Sequence, residues 1–342
     1  MTRLKDIAAR ANVSVMTVSK ALRDARDVSA ATKTRIKQLA QSMGYVPDTF
    51  AQALRTRSSK IFGVVIPAIT NPILGRMVMA LEEGSHELGF ELILAQSMGT
   101  VEREEAVIRR LIARKIQGLF VHPVYRLQKD SRAYQELVAQ RIPTVILGHR
   151  APFCSQFACV ETDDALASYQ LTKHLLELGH KRIAFFAGLI VSPSSQERFA
   201  GYRRALREAQ MDVDEKLVFQ AGSTIEDGAK AALQMLNEST AATAIQADND
   251  LVAVGCANAL LNQGVRIPHD ISVAGFGNTL VGEYFRVPLT STRQPKHRLG
   301  VVAMETMTRL LRGEAVEPKR LAADLIIRSS TAKPSAQPLK KA

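Results

Sequence analysis

This 342-residue chain contains no tryptophan, 5% aromatic residues and three cysteines. Cys154, Cys159 and Cys256 lack zinc-ligand spacing and are odd in number, which argues against a disulfide framework or zinc module and leaves reduced thiols. No apolar run approaches the roughly 18 residues of a membrane span. The first residues lack the charged start and apolar stretch of a secretory leader, so a cytoplasmic protein without membrane contact is expected. No G-x-G-x-x-G follows an apolar run and no P-loop is present, so nucleotide-dependent chemistry has no motif. His149, His174 and His180 have no H-E-x-x-H spacing or nucleophile motif nearby; His174 and His180 flank a helix end, where a capping or dipole role fits. No catalytic residue, metal or cofactor is expected.

Positive charge is abundant, and it is concentrated. Residues 1–60 hold twelve Lys and Arg against four Asp, a net +8 of the chain's +12. Binding to phosphates with release of counterions needs such a local excess. In the same segment Leu4, Ile7, Ala8 and Ala11 recur at the spacing of one helix face. Asn12-Val13 breaks that pattern, and Ser14 is suited to cap a second helix. With Val18, Ala21 and Leu22 turned inward, Val15, Met16, Ser19 and Lys20 stay on the outer face, as on a helix that enters the DNA major groove. A third helix runs from a Ser29 cap to Gly44, a residue suited to a left-handed stop. Residues 48–55 form a further helix-capable stretch too short to be stable alone.

Beyond Ile61 short apolar runs (IFGVVIP, FELILA, GLFVHP, TVILG, then RIAFFAG, LVFQAG, TAIQA, ISVAGF) alternate with amphipathic helical stretches. Such alternation implies parallel, doubly wound sheets. Two series imply two Rossmann-like subdomains with a ligand cleft at the carboxyl ends of the strands. Asp163-Asp164 and Asp248-Asn249-Asp250, at strand ends, read as helix caps or cleft-orienting groups rather than acid/base pairs. His149, ending a strand, reads equally as a ligand hydrogen-bond partner or as packing.

The segments ANVSVMTVSKAL, MGYVPDTFAQAL, GVVIPAITNP, HLLELGHKRIAFFAG, ERFAGYRRAL, ADNDLVAVG and GVRIPHDISVAGFGN together resemble the lactose/galactose repressor (LacI/GalR) family, in particular a sugar-acid-responsive, gluconate-repressor-like branch. The resemblance implies an all-α helix-turn-helix headpiece with a hinge helix, followed by an α/β core like periplasmic binding proteins. It implies a ligand-responsive transcriptional regulator, a repressor of carbohydrate or sugar-acid genes, that binds a pseudo-palindromic operator in double-stranded DNA as a homodimer. The alternative is a sugar-binding or sugar-transforming protein without a regulatory role. DNA contacts are expected from Ser14, Val15, Met16, Thr17, Ser19, Lys20, Arg26, Tyr45, Leu54 and Arg55, with Leu54 wedged between base pairs in the minor groove. The expected domains are 1–47 (helix-turn-helix), 48–60 (hinge helix and linker) and 61–330 (effector-binding and dimerisation core). The core divides into 61–161 with 292–318 and 162–291 with 319–330, and 331–342, rich in Pro, Ser and Lys, is expected to be a disordered tail.

Carried over position by position, the resemblance puts Ile73, Leu74, His122, His149, Arg198, Asn249, Gly277 and Gln294 at the effector pocket. GFGN, with Gly277, replaces a motif that usually supplies acidic side chains. With acceptor carboxylates lost and Arg198 kept, a sugar acid is expected over a neutral sugar, because an arginine–carboxylate pair is the strong geometry.

Overall fold

A computed structural model of the chain describes residues 2–45 and 59–335. It divides at Ser59 into two units. The expected hinge residues Leu54 and Arg55 lie outside the described residues.

The first unit is built from α1 (Leu4–Ala11), α2 (Val15–Leu22) and α3 (Ala30–Ser42). Ile7, Ala8 and Ala11 of α1 meet Val18, Ala21, Ile36 and Ala40 in one small core, with Leu4, Leu22 and Tyr45 packed at its edge. The caps follow the side-chain chemistry. Ser14 Oγ accepts from the Thr17 N–H at 3.0 Å and Ser29 Oγ from the Thr32 N–H at 3.3 Å. Gly44 ends the third helix at φ +62, where it meets no steric resistance.

The second unit holds two six-stranded sheets. Its strands are β1 (Ile61–Ile66), β2 (Glu91–Gln96), β3 (Gly118–Val121), β4 (Thr144–Leu147), β5 (Ala158–Thr162), β6 (Ile183–Ala187), β7 (Val218–Gln220), β8 (Ala244–Ala247), β9 (Ser272–Phe276), β10 (Thr290–Arg293), β11 (Lys319–Leu321) and β12 (Asp324–Ile326). The first lobe has the order β11-β5-β4-β3-β1-β2 and the second β12-β10-β9-β8-β6-β7. Among the described residues only the β10–β12 pair is antiparallel. Sheets of this kind are buried on both faces, and their central strands are accordingly continuous apolar runs: β3, β4 and β9 are buried throughout. One face of the first sheet packs Phe62, Leu81, Phe120 and Met307, the other Ile108, Leu119, Tyr134 and Leu137.

The chain passes between the lobes three times: after β5, after β10, and between β11 and β12. This corrects the expectation that 319–330 belongs wholly to the second lobe. Lys319–Leu321 pairs with β5 because the helix Lys296–Leu311 before it packs on the first lobe, through Leu299, Val302 and Met307, and delivers the chain to that sheet's edge. The tail expectation also needs correction over 331–335. The Ala332 carbonyl accepts from His180 Nε2 at 2.8 Å, the Ala332 N–H donates to Ser272 Oγ at 3.0 Å, and Thr331 Oγ1 lies 3.1 Å from His174 Nε2. Composition suggested disorder, but these backbone groups find buried partners. His174 and His180 therefore anchor Thr331 and Ala332 rather than serving a helix terminus alone. Residues 336–342 lie outside the described residues.

Candidate functional site

Two surfaces concentrate the chemistry. On the headpiece, burial of Val18 and Ala21 turns the opposite side of α2 outward, leaving Val15 46% and Met16 68% exposed. Exposed apolar side chains at a helix start fit contact with base edges and thymine methyls. Ser14 and Thr17 share a hydroxyl contact of 2.8 Å, and Ser19 Oγ accepts from Arg23 at 3.3 Å. Lys20 is ion-paired with Asp27, Arg26 is exposed, and Tyr45 seals the headpiece core.

In the second unit the carboxyl ends of both sheets face one cleft of about 440 Å³. That is ample for a small molecule. Its walls come from the residues that follow β1, β3, β4 and β5 in one lobe and β6, β8 and β9 in the other. Ile73, Leu74, His122, His149, Arg198, Asn249 and Gln294 all line it. Gly277 does not. At φ +124 it suits glycine, and a Cβ there would lie 3.3 Å from Ile73 Cδ1, so its missing side chain leaves Ile73 its space.

Arg198 is the centre of the polar wall. Its Nε donates to Asp164 Oδ1 at 3.1 Å and its Nη1 to the Asp248 carbonyl at 2.6 Å, with Asp248 Oδ2 at 3.3 Å. The guanidinium lies 4.0 Å from the Phe276 ring centroid. Burial alone disfavours its charge, but Asp164 and Asp248 more than offset this and raise its pKa. Burial pushes the Asp164 carboxyl above the usual range, against the pull of Arg198 and His149. Asp250 is raised by burial too, and its oxygens accept from Ser291 Oγ at 2.6 Å and Thr279 Oγ1 at 3.0 Å.

His122 contacts the Leu147 carbonyl through Nδ1 at 2.5 Å. A ring nitrogen facing a carbonyl must carry the proton, which leaves Nε2 as an acceptor. Burial lowers the pKa of His122 and keeps the ring neutral. Asn249 Oδ1 caps the helix Asp250–Asn262 through the Val252 N–H at 3.0 Å, leaving its amide N–H groups for other partners. Gln294 Nε2 donates to Thr162 Oγ1 at 3.1 Å, across two of the interlobe crossings. Asp248 Oδ1 is buried without a hydrogen-bond partner.

This geometry changes the charge premise behind the expected sugar acid. The cleft keeps carboxylates: Glu161, Asp164, Asp248 and Asp250 line it, and Asp164 and Asp248 already pair with Arg198. The carboxylates missing from the GFGN motif leave these four in the cleft wall. Asp163-Asp164 and Asp248-Asn249-Asp250 were expected to cap helices or orient the cleft; Asp163 and Asn249 each cap a helix, and Asn249 also lines the cleft. Sequence reasoning did not link Asp164 and Asp248 to Arg198, nor find Tyr125, Glu161, Glu197 or Arg320. The only signal for Glu197 was its place beside Arg198 in ERFAGY. Among the described residues no cluster of His, Cys, Asp or Glu could hold a metal, and no helix is long and apolar enough to cross a membrane.

Comparison with known proteins bears on both surfaces. A family model described as bacterial regulatory proteins, lacI family, matches residues 3–48, and one for a periplasmic binding protein-like domain matches 172–331. The HTH-type transcriptional regulator DegA of Bacillus subtilis is 30% identical over 332 residues, 96% of this chain and 98% of its own. The HTH-type transcriptional repressor PurR of Vibrio atlanticus is 32% identical over 307 residues, 90% of this chain and 91% of its own. A solved lac repressor dimer bound to operator and an anti-inducer matches with a TM-score of 0.86 at 27% identity, covering 97% of this chain and 99% of that one. A transcriptional regulator CelR–cellobiose complex matches with a TM-score of 0.73 at 28% identity, covering 96% and 100%.

Proposed function

Because this chain belongs to the lacI family of bacterial regulatory proteins, we propose that it is a transcriptional repressor whose hold on operator DNA answers to a small polar molecule in the cleft. The observation that carries this reading is the presence in one chain of a basic helix-turn-helix with Met16 exposed on its second helix and a cleft lined from both lobes. Ser14, Val15, Met16, Thr17, Ser19, Lys20, Arg26, Tyr45, Leu54 and Arg55 form the DNA-binding set. Ile73, Leu74, His122, His149, Arg198, Asn249 and Gln294 form the effector set, joined by Glu161 and Asp248.

The repressor acts as a homodimer on a pseudo-palindromic operator, one headpiece to each half-site. The solved lac repressor dimer on its operator supports this arrangement. The effector is neutral and rich in hydroxyls, such as a sugar, because acceptor oxygens line the cleft and Arg198 is committed to carboxylates. Cellobiose in the CelR complex is a ligand of that kind. Binding favours one relative placement of the lobes and couples to DNA by about 1–3 kcal/mol, a roughly 5- to 150-fold change in operator affinity.

The test is operator selection followed by gel-shift titration with and without candidate sugars. Palindromic, salt-sensitive binding that one neutral sugar shifts is the expected outcome. Equal affinity for random and selected DNA overturns the repressor reading. Calorimetry with an aldose and its aldonate tests the effector class, and tighter binding of the aldonate overturns neutrality.

A further inference from the structure

Glu197, on the helix Pro193–Glu208 of the second lobe, is met from the first lobe by two basic side chains at once, His149 and Arg320. His149, just beyond β4, brings Nε2 to 3.1 Å from Glu197 Oε2. Arg320, on β11, pairs with the same oxygen through Nη2. The Arg320 Nε lies 3.6 Å from Glu161 and 3.7 Å from Asp163, which ties the arginine back to the strand end from which the chain leaves its lobe. No other carboxylate among the described residues is paired with two basic side chains of the opposite lobe. We propose that Glu197 is the catch of a latch between the lobes, engaged by His149 and Arg320, and that proton binding at His149 tightens it, so that mild acid favours the closed cleft. The proposal rests on the cleft being the effector site and names a second input to it.

The groups facing His149 make the sign clear. Glu197 approaches from one helix of the second lobe and Asp164 from another, with Oδ2 at 3.6 Å. Glu161 stands on β5, neutral His122 follows β3, and Tyr125 donates its hydroxyl proton to the His149 carbonyl at 2.9 Å. Carboxylates dominate this surround. Burial pulls the pKa of His149 down, but Glu197, Asp164 and Glu161 more than offset it, and the net direction is upward. Burial likewise pushes Glu197 up, while His149 and Arg320 bring it below the usual carboxylate range. The partner stays ionised while the imidazole titrates. If opening the lobes separates the ring from Glu197 and Asp164, the closed state binds the proton more tightly, and by linkage the proton favours closure. Arg320 stays charged throughout and supplies the pH-independent part of the hold.

The test needs neither DNA nor effector. Spin labels are placed on the full chain at Gln140→Cys in the first lobe and Asn237→Cys in the second, both exposed positions, while the three native cysteines are buried. Electron–electron distance distributions are recorded from about pH 8 to about pH 6, the range in which histidine titrates. The expected result is a shift and narrowing with a midpoint above about 6.5, the ordinary histidine value. His149→Gln and Glu197→Gln each abolish the shift. Arg320→Gln broadens the distribution at every pH but keeps the transition. A wild-type distribution that does not change over this range overturns the latch, as does a transition that survives His149→Gln in a protein whose circular dichroism is native. A chain that shows the transition but binds no operator leaves the latch standing and overturns the repressor reading instead.

Discussion

Arg198 and Asp248 stand fifty positions apart in sequence, yet the arginine donates to the aspartate's carbonyl at 2.6 Å and faces its carboxylate at 3.3 Å. With Asp164 on the other side, the arginine supports the cleft wall before it touches any ligand. Arg198→Met therefore leaves two buried carboxylates without their cation. The expected loss is about 3–5 kcal/mol of folding stability, the usual cost of breaking a buried pair. Burial already holds Asp164 above its usual range, so it takes up a proton readily once Arg198 is gone, and the deficit shrinks as pH falls. Urea unfolding at about pH 7.5 and about pH 5 checks this. A stability loss of equal size at both values contradicts it.

Lys20 pairs with Asp27 in the free headpiece, so part of its charge is spent before DNA arrives. Asp27→Asn releases it. Affinity for both random and operator DNA is expected to rise, and the log–log salt slope to steepen by up to about 0.9, one further phosphate contact. Met16→Ala, by contrast, changes base preference while leaving the slope alone. Salt-series gel shifts on two sequences separate the outcomes.

Leu54→Ala tests the hinge assignment. Loss of an apolar wedge is expected to cost on the order of a few kcal/mol in operator binding and to reduce the bend, with non-specific binding little changed. Bending is read by fluorescence transfer across a labelled operator.

Glu104 provides a pH test remote from DNA. It is buried beside Arg126 at 3.1 Å, and Arg126 stacks on Phe153 at 4.3 Å. Burial pushes the Glu104 carboxyl from its ordinary 4.5 up to about 7, against the lowering effects of the Val124 N–H and Arg126. A carboxyl whose folded pKa is raised contributes stability that is complete below 4.5 and lost as pH rises through about 7. Stability is thus expected to fall by roughly 1–3 kcal/mol between about pH 5 and about pH 8, and Glu104→Gln to flatten that slope. Thermal melts across the range, with His149→Gln as a second background, assign the change.

The headpiece was legible almost residue by residue. Its signals are local: the Ser14 and Ser29 caps, the Asn12 break, and the spacing of Ile7, Ala8 and Ala11. The alternating core was equally readable where strands are long and apolar. β11 and β12 were not, because three-residue, largely polar edge strands such as Lys-Arg-Leu carry no periodic signal. Seven of the eight positions carried over to the pocket line the cleft, all but Gly277, while their partnerships were hidden. Nothing in the order of residues says that Arg198 meets Asp164 and Asp248, or that Glu197 meets Arg320 123 positions away. Those contacts are made by topology, and they bear directly on the charge argument built on Gly277.

The three passages between the lobes also govern how such a protein can be rebuilt. Neither lobe is a continuous stretch of chain, and β11 and β12, two residues apart, finish different sheets. Removing everything after Leu311 strips an edge strand from both lobes at once. A gene that exchanged one lobe for another's would need three matched junctions, whereas exchanging the headpiece needs a single junction near Ser59. Under the proposed function, the DNA address is a detachable module, while the ligand preference is woven through the remainder and changes by substitution.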